Sequence, residues 1–192
     1  MNFFLGIFPD KETVEEIKSV VVVEVEEVFD GFGIPVRWSK PDNYHMTLIY
    51  LGEKLPFYKK LFFKYKLKNF SLTRFKLKFN KVKLGINRKY KELIYMDLLE
   101  GGDEMRKLYL ELRNLLNLQD DGNFMPHLTL GRVSKELTDQ EYANICRDLS
   151  VVTKRLDINK IQFFVNELKL VKSKDGEYQV LINFSDSSNI KL

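Results

Sequence analysis

The sequence is poor in residues that bind metals or form disulfides. Among its 192 residues are one cysteine, Cys146, and two histidines, His45 and His127. A single cysteine excludes an intramolecular disulfide and is typical of the reducing cytoplasm, where we expect this protein to be located. Two histidines and one cysteine also fall short of a zinc site unless carboxylates contribute ligands. The zinc alternative therefore needs additional residues, and the sequence predicts no metal and no cofactor.

Long hydrophobic runs are also absent. No apolar stretch approaches the roughly 20 residues that cross a bilayer, and strand-like sequence follows Met1 within a few residues, where a signal peptide would have its apolar region. With 44% hydrophobic and 30% charged residues the composition is that of an ordinary soluble protein. No Pro-, Gly- or Ser-rich linker divides the chain. We therefore expect residues 1–192 to form a single two-lobed domain, monomeric and without a membrane partner.

Acidic residues are missing from one long segment. Residues 54–91 hold 14 of the 31 basic residues and none of the 27 acidic ones. The aromatic residues interleaved with these cations are Phe57, Tyr58, Phe62, Phe63, Tyr65, Phe70, Phe75, Phe79 and Tyr90. Cations and aromatic rings together can follow a phosphate backbone and stack on bases. Alternatively the aromatics are core and the lysines are solvated faces. We favour core for the aromatics and an RNA-facing role for the charge.

The two histidines share one sequence pattern. His45-Met46-Thr47-Leu48 and His127-Leu128-Thr129-Leu130 have the form His-x-Thr-Leu, and both continue into strand-like sequence. In a strand, residues two apart lie on the same face. Each motif therefore presents one imidazole and one hydroxyl on one face and apolar side chains on the other. A lone histidine on a strand is more often structural, but the repetition favours a shared function.

The chemistry of these side chains points to an oxyanion. Two imidazoles near neutral pH can be held one neutral and one protonated, as general base and general acid. Two hydroxyls can donate hydrogen bonds to oxygens where charge develops. If the two strands lie side by side, the four groups converge on a polar centre that suits a phosphate. This scheme requires no metal ion.

The paired motifs resemble the 2H phosphoesterase superfamily, and their surroundings are similar to its RNA 2′,3′-cyclic phosphodiesterase branch, the 2′-5′ RNA ligase-like proteins. The stretches that also carry this resemblance are residues 3–9, 37–43, 51–53, Arg132, 167–173 and 176–178. The resemblance implies that His45, Thr47, His127 and Thr129 are catalytic. It further implies that Arg132 contacts the substrate phosphate, that Phe4 or Phe3 lies against the base or ribose, and that no metal takes part.

Arg132 departs from the simple strand pattern. Its separations from His127 and Thr129 are odd, so in a regular strand it lies on the opposite face. It can reach the phosphate only if Gly131 marks a bulge or the end of the strand.

By resemblance, the chain hydrolyses RNA 2′,3′-cyclic phosphate ends, tRNA fragments among them, to 2′-phosphomonoesters, and the reverse reaction would form a 2′-5′ linkage. We assign His127 as base and His45 as acid, although the near-symmetry of the motifs leaves the reverse open. Two alternatives remain. One is another 2H phosphodiesterase, acting on a 2′-5′ oligonucleotide or a small cyclic nucleotide. The other is a non-catalytic RNA-binding module that uses residues 54–91.

The predicted fold class is α+β, with two pseudo-symmetric lobes flanking a central cleft, each a mainly antiparallel sheet with helices on its outer face. Helices are predicted at residues 10–31 with Asp10 as N-cap, 56–68, 103–116 with Asp103 as N-cap, and 138–149 with a capping box. Strands are predicted at residues 3–8, 35–39, 70–84 with a bulge near Thr73, 93–99, 160–173 and 177–184. A turn at 87–89, a loop at 119–123 and a polar tail from Ser185 complete the prediction.

Overall fold

The computed structural model describes residues 1–68, 70–86, 92–119, 122 and 124–185. The strands in these ranges are β1 Asn2–Ile7, β2 Val36–Trp38, β3 Met46–Gly52, β4 Phe75–Leu84, β5 Leu93–Glu100, β6 Leu128–Val133, β7 Gln162–Val165, β8 Glu167–Lys174 and β9 Glu177–Ser185. The helices are α1 Lys11–Glu16, which continues through a π-helical stretch Ile17–Val22 into α2 Val23–Gly31, then α3 Phe57–Lys68, α4 Gly102–Leu115 and α5 Asp139–Leu156. Short 3₁₀ turns lie at Pro41–Asn43 and Ile158–Lys160.

The strands form two antiparallel sheets. Sheet A has the order β3-β1-β8-β9, and sheet B has the order β2-β6-β5-β4-β7. Helix α3 packs against β9 and α4 against β3, whereas α5 packs against β4 and in turn supports α2. A single apolar cluster connects both sheets and the helices. The predicted α+β class with two mainly antiparallel sheets is confirmed.

The first helix follows the predicted pattern. The Asp10 carboxylate accepts a hydrogen bond from the Thr13 backbone N–H at 2.8 Å, as an N-cap does. Ile17, Val21 and Val25 are buried at helical spacing. The β-branched run at residues 20–23, which could also have formed a strand, is helical and includes part of the π-helical stretch.

Helix boundaries differ from the prediction at two places. The N-cap of α4 is Gly101, with φ +87°, and Asp103 lies in the first turn instead. Helix α5 begins with the predicted capping box between Thr138 and Glu141 but continues to Leu156 instead of ending near Leu149. The extension buries Thr153 against β4, where its hydroxyl accepts a hydrogen bond from the Val82 backbone N–H.

The C-terminal strands are divided differently from the prediction. The single strand expected at residues 160–173 is two strands, because β7 pairs with β4 in sheet B and β8 pairs with β1 in sheet A. The predicted hairpin at Asp175–Gly176 is confirmed, with both residues at positive φ. Strand β4 starts at Phe75, and its register shifts lie between residues 78 and 82, so the bulge predicted near Thr73 is wrong. The turn at 87–89, most of the 119–123 loop and the tail from 186 onward lie outside the described residues.

The aromatic residues of the basic segment do not all belong to the core. Phe63 and Phe79 are buried, and Phe62, Phe70 and Phe75 pack partly buried against the core, which confirms the core interpretation for these five. The interpretation is wrong for three rings of α3, which are exposed: Phe57, Tyr58 and Tyr65. Tyr90 lies outside the described residues. Within the described ranges, no helix combines the length and apolar character needed to span a membrane.

Candidate active site

The first motif begins where a 3₁₀ turn leads into β3. The His45 Nδ1 lies 2.7 Å from the backbone oxygen of Asn43. Because a carbonyl oxygen can only accept, Nδ1 carries a proton and donates it, and the lone pair of neutral His45 is on Nε2. This Nε2 lies 3.1 Å from the Thr47 hydroxyl, which donates to it. The predicted shared face of His45 and Thr47 is therefore observed.

The second motif holds its imidazole in the same way. The His127 Nδ1 lies 2.9 Å from the backbone oxygen of Met125, again two residues earlier. The ring of Tyr95, on β5, lies edge-on to the His127 ring with 5.5 Å between centroids. Tyr95 is also the cross-strand partner of Thr129. Paired residues project to the same side of a sheet, so Tyr95 and Thr129 share a face. The Tyr95 ring contacts the His127 ring, and His127 therefore lies on this face as well.

The two motifs lie on strands of different sheets and close to one another. Strands β3 and β6 belong to different sheets and do not pair side by side. The imidazoles are nevertheless close enough that the charge of His127 contributes to lowering the pKa of His45. His45, Thr47, His127 and Thr129 are all half-buried, as expected for side chains that line a cleft. The structure thus brings together the four residues that the motifs single out.

The two histidines differ in their proton affinity. Burial lowers the pKa of His45 from 6.5 to about 4, against an opposing hydrogen bond to the Asn43 backbone. Burial also lowers the pKa of His127, where the hydrogen bond to Met125 opposes it and the positive charge of Arg132 adds to it. Without an anion in the cleft, both rings are neutral near pH 7. A phosphate between them would raise both pKa values, because it favours the charged imidazolium.

Aromatic rings surround His45 and cause its burial. Their centroid distances from the imidazole are 4.7 Å for Phe4, 5.6 Å for Phe8 and 5.2 Å for Tyr178. Phe4 therefore lies at the site, where it is buried and also contacts the ring of Tyr178. Phe3, the other candidate for contact with the base or ribose, is next to Phe4 in β1 and faces the opposite side of the strand. The structure does not bring Phe3 to the site.

A β-bulge decides the direction of Arg132. Gly131 pairs with Ile94 and Thr129 with Tyr95, which leaves Leu130 as an extra residue in β6. Arg132 pairs with Leu93, two residues from Tyr95, so the bulge returns Arg132 to the face of Thr129. Its charge lowers the pKa of His127 and contributes in the same direction at Tyr178, whose pKa burial raises overall. Arg132 is exposed and forms an ion pair with Glu92 at 3.0 Å.

Three aromatic residues at the site received no role from the sequence: Phe8, Tyr95 and Tyr178. The position of Phe8 was predictable, because it is four residues from Phe4 and residues at even spacing in an extended segment lie on the same face. Tyr178 lies in the stretch 176–178 that carries the resemblance, but no local pattern predicts that Tyr178 or Tyr95 contacts a histidine, since these contacts come from pairing between distant strands.

The described residues include no group of three or more His, Cys, Asp and Glu side chains arranged to hold a metal ion. Cys146, the third residue of the zinc alternative, lies on α5 beside Tyr142 and lines a separate cavity with Lys81 and Lys83. The zinc alternative therefore gains no support from the arrangement of these side chains.

The chain is similar in sequence to known proteins. No family model matches the chain. An RNA 2′,3′-cyclic phosphodiesterase of Archaeoglobus fulgidus is 28% identical over 153 residues, 78% of this chain and 81% of the relative. One of Thermotoga maritima is 31% identical over 128 residues, 62% of this chain and 65% of the relative.

Solved structures share the fold. Escherichia coli LigT complexed with 3′-AMP superimposes with a TM-score of 0.65 at 17% identity, covering 97% of this chain and 98% of LigT. Kluyveromyces marxianus Usb1 superimposes with a TM-score of 0.66 at 15% identity, covering 96% and 97%.

The chain is thus similar in sequence to two RNA 2′,3′-cyclic phosphodiesterases, and it shares the fold of LigT and Usb1.

Proposed function

We propose that this chain hydrolyses 2′,3′-cyclic phosphate ends of RNA to 2′-phosphomonoesters, using two histidines and no metal ion. The main observation that supports the proposal is that both imidazoles have the same orientation relative to the backbone. Each donates from Nδ1 to a backbone carbonyl two residues earlier, so in each neutral ring the lone pair that could accept a proton is on Nε2. The names of both sequence relatives support this substrate class.

The reaction is a displacement at phosphorus in which the two histidines move one proton each. A water oxygen attacks phosphorus while a neutral imidazole Nε2 takes the proton of that water. The bond between phosphorus and the ribose O3′ breaks, and a protonated imidazole Nε2 donates its proton to O3′. The product carries a 2′-phosphate and a 3′-hydroxyl. Each proton transfer accelerates the reaction by about 100-fold to 10,000-fold.

The burial of the two rings supports one assignment of these roles. His45 has the lower affinity for a proton, since three aromatic rings exclude water from it and its pKa falls to about 4. The neutral member of the pair is then His45, and the proton resides on His127. We therefore propose His45 as base and His127 as acid, the reverse of the assignment made from the sequence.

The remaining polar groups of the cleft suit the charge of the phosphate. The hydroxyls of Thr47 and Thr129 are placed to donate to non-bridging oxygens, and Thr47 would exchange its present bond to His45 for a phosphate oxygen. The Arg132 guanidinium can compensate negative charge from the same face of sheet B. Because the chemistry is reversible, a 5′-hydroxyl in place of water would join two RNA ends through a 2′-5′ linkage.

Histidine substitutions test the proposal. The substrates are 2′,3′-cyclic AMP and an RNA of roughly 12 nucleotides with a cyclic phosphate end, each incubated with EDTA. We expect the unaltered protein to produce 2′-phosphates, and His45→Ala and His127→Ala each to lose about 100-fold or more in kcat. Circular dichroism controls for folding, and Cys146→Ser is the matched variant outside the site.

The outcomes separate the alternatives. A folded His45→Ala or His127→Ala variant with full activity contradicts the mechanism, and loss of activity with EDTA contradicts metal independence. Turnover of a 2′-5′-linked dinucleotide in preference to both cyclic phosphates would favour the other 2H phosphodiesterase. Absence of turnover on every substrate, with RNA binding retained, would favour the binding module.

A further inference from the structure

Helix α3 carries an exposed apolar stripe that the fold leaves uncovered. Its members are Phe57, Tyr58, Leu61 and Tyr65, with 74%, 68%, 51% and 74% of their surface exposed. They lie on one side of the helix, opposite the buried Phe63 and Leu67 that attach α3 to the core. We call these four residues the α3 stripe. Their side chains are outside the core, so the stability of the fold does not explain them.

The same helix has positive charge for which the described residues provide no ion pair. The 12 residues of α3 include Lys59, Lys60, Lys64, Lys66 and Lys68 and no acidic residue. Across the residues that the structure describes, none of these lysines forms an ion pair. The lysines of β4 differ: Lys76 and Lys78 pair with Glu100, and Lys83 pairs with Asp97. The basic segment thus divides into a strand in which three of four lysines pair with carboxylates of β5 and a helix in which, among the described residues, no lysine has such a partner.

Rings next to unpaired cations suit single-stranded RNA. Lysines attract a phosphate backbone through counterion release, and exposed aromatic faces stack on unpaired bases regardless of sequence. Phe57, Tyr58 and Tyr65 have no ring partner among the described residues, which leaves their faces free. A folded acidic protein would satisfy the lysines but would not need three free rings. The charge and the rings together therefore favour an RNA chain as the occupant.

We infer that the α3 stripe and the α3 lysines form a second RNA-binding surface, distinct from the histidine cleft, which holds unpaired nucleotides of the substrate away from its cyclic end. This inference rests on the proposed function in one respect, since that function makes RNA the substrate. It extends that function by giving the protein an affinity for the body of the RNA that a cyclic mononucleotide lacks. Removing the surface should weaken RNA binding and spare the chemistry.

The experiment measures binding separately from catalysis. The probe is a fluorescent RNA of roughly 12 nucleotides with a 3′-hydroxyl end, which is not hydrolysed, and the readout is anisotropy over a range of salt concentrations. The stacking variant is Tyr58→Ala with Tyr65→Ala. The charge variant replaces Lys59, Lys64 and Lys68 by Gln. All five positions are exposed, so both variants retain the core.

The expected loss of RNA affinity and the expected change in its salt dependence follow from the contacts that each variant removes. Each lost stacking contact weakens single-stranded RNA binding about 5-fold to 150-fold, while binding of a duplex of the same length is unchanged by the stacking variant. The charge variant lowers the slope of log affinity against log salt by about 2, at about 0.7 per phosphate contact. Its control replaces Lys76, Lys78 and Lys83 by Gln, which removes the same charge from β4 and should leave the slope nearly unchanged.

Several results would overturn the inference. One is equal RNA affinity in the stacking variant and the unaltered protein, and another is an equal loss in both lysine variants, which would reduce the effect to net charge. A third is α3-dependent binding to vesicles of phosphatidylcholine and phosphatidylglycerol without α3-dependent RNA binding, which would assign the surface to lipid. Turnover of 2′,3′-cyclic AMP by each variant reports on the proposed function independently, because the substitutions leave His45, Thr47, His127 and Thr129 in place and this substrate has no further nucleotides for α3 to hold.

Discussion

The ring of Tyr178 lies 5.2 Å from the ring of His45, although the two residues belong to opposite edges of sheet A. Tyr178 is in β9, and His45 immediately precedes β3. Such a contact requires the four-stranded sheet to curl until its edges approach one another. Two contacts hold the edges together: the Asn43 side chain donates to the Gly176 carbonyl at 2.7 Å, and Lys40 pairs with Glu177. The environment of His45 therefore depends on the approach of two sheet edges whose strands are far apart in the sequence.

Tyr178→Ala should raise the pKa of His45 toward 6.5, because water would enter where the ring now excludes it and burial is the main cause of the low pKa. Tyr178→Phe keeps the ring and should keep the pKa low. An NMR titration of the imidazole measures both. Val180→Ala, on the same strand and half-exposed, is the matched control. An unchanged pKa in Tyr178→Ala would show that this ring does not shield His45.

The plot of kcat/KM against pH should be bell-shaped. The proposed roles require neutral His45 and protonated His127, so kcat/KM should rise through the His45 pKa of about 4 and fall through that of His127, which burial lowers from 6.5. The maximum of kcat/KM for 2′,3′-cyclic AMP is therefore expected on the acid side of pH 6.5. The limbs of kcat should lie at higher pH, because the bound phosphate raises both pKa values. A kcat/KM maximum in the alkaline range would exclude this pair as the titrating groups.

Stability should also depend on the protonation of His45. Between its folded pKa of about 4 and its unfolded value of 6.5, the unfolded chain binds a proton that the folded chain does not. The free energy of unfolding contributed by this residue is thus fully present above pH 6.5 and is lost as the pH falls toward 4, by about 3 kcal/mol. Urea denaturation across this window measures the loss, and His45→Gln should show a correspondingly smaller one. If the free energy of unfolding falls with pH equally in the unaltered protein and in His45→Gln, the protonation of His45 does not cause the loss.

Adjacent glycines at the start of α4 should respond oppositely to alanine. At Gly101, φ is +87°, and an added Cβ would lie 2.4 Å from the Lys76 carbonyl oxygen and 2.4 Å from a Leu77 methyl carbon. Gly101→Ala should therefore lower the free energy of unfolding by about 2 kcal/mol or more. Gly102 has no neighbour within 4 Å of such an atom, and Gly102→Ala should be neutral or stabilising by up to about 1 kcal/mol. Urea denaturation measures the free energy of unfolding of both variants, and Gly102→Ala is the control for Gly101→Ala. An equal change in the two variants would contradict the steric argument.

Local features of the fold were predictable because they depend on neighbours in sequence. The Asp10 N-cap, the capping box at Thr138 and the hairpin at Asp175–Gly176 all follow from residues within a few positions of one another. The division of residues 160–173 between two sheets was not predictable. The buried apolar positions change from odd numbers, Phe163 and Val165, to even numbers, Leu168 and Leu170, on passing Asn166. Such a change in phase indicates a break in the strand, but it does not specify the partner strand of either part.

The same distinction applies to the site. The sequence alone determined that His45 shares a face with Thr47 and His127 with Thr129, because the pleat of a strand fixes that relation locally. Only the tertiary structure decided that the two faces meet, that a bulge at Leu130 turns Arg132 toward them, and that the curl of sheet A buries His45 under Tyr178. These depend on pairings between residues far apart in the chain, whose free energies come from packing across the whole core and not from any local pattern.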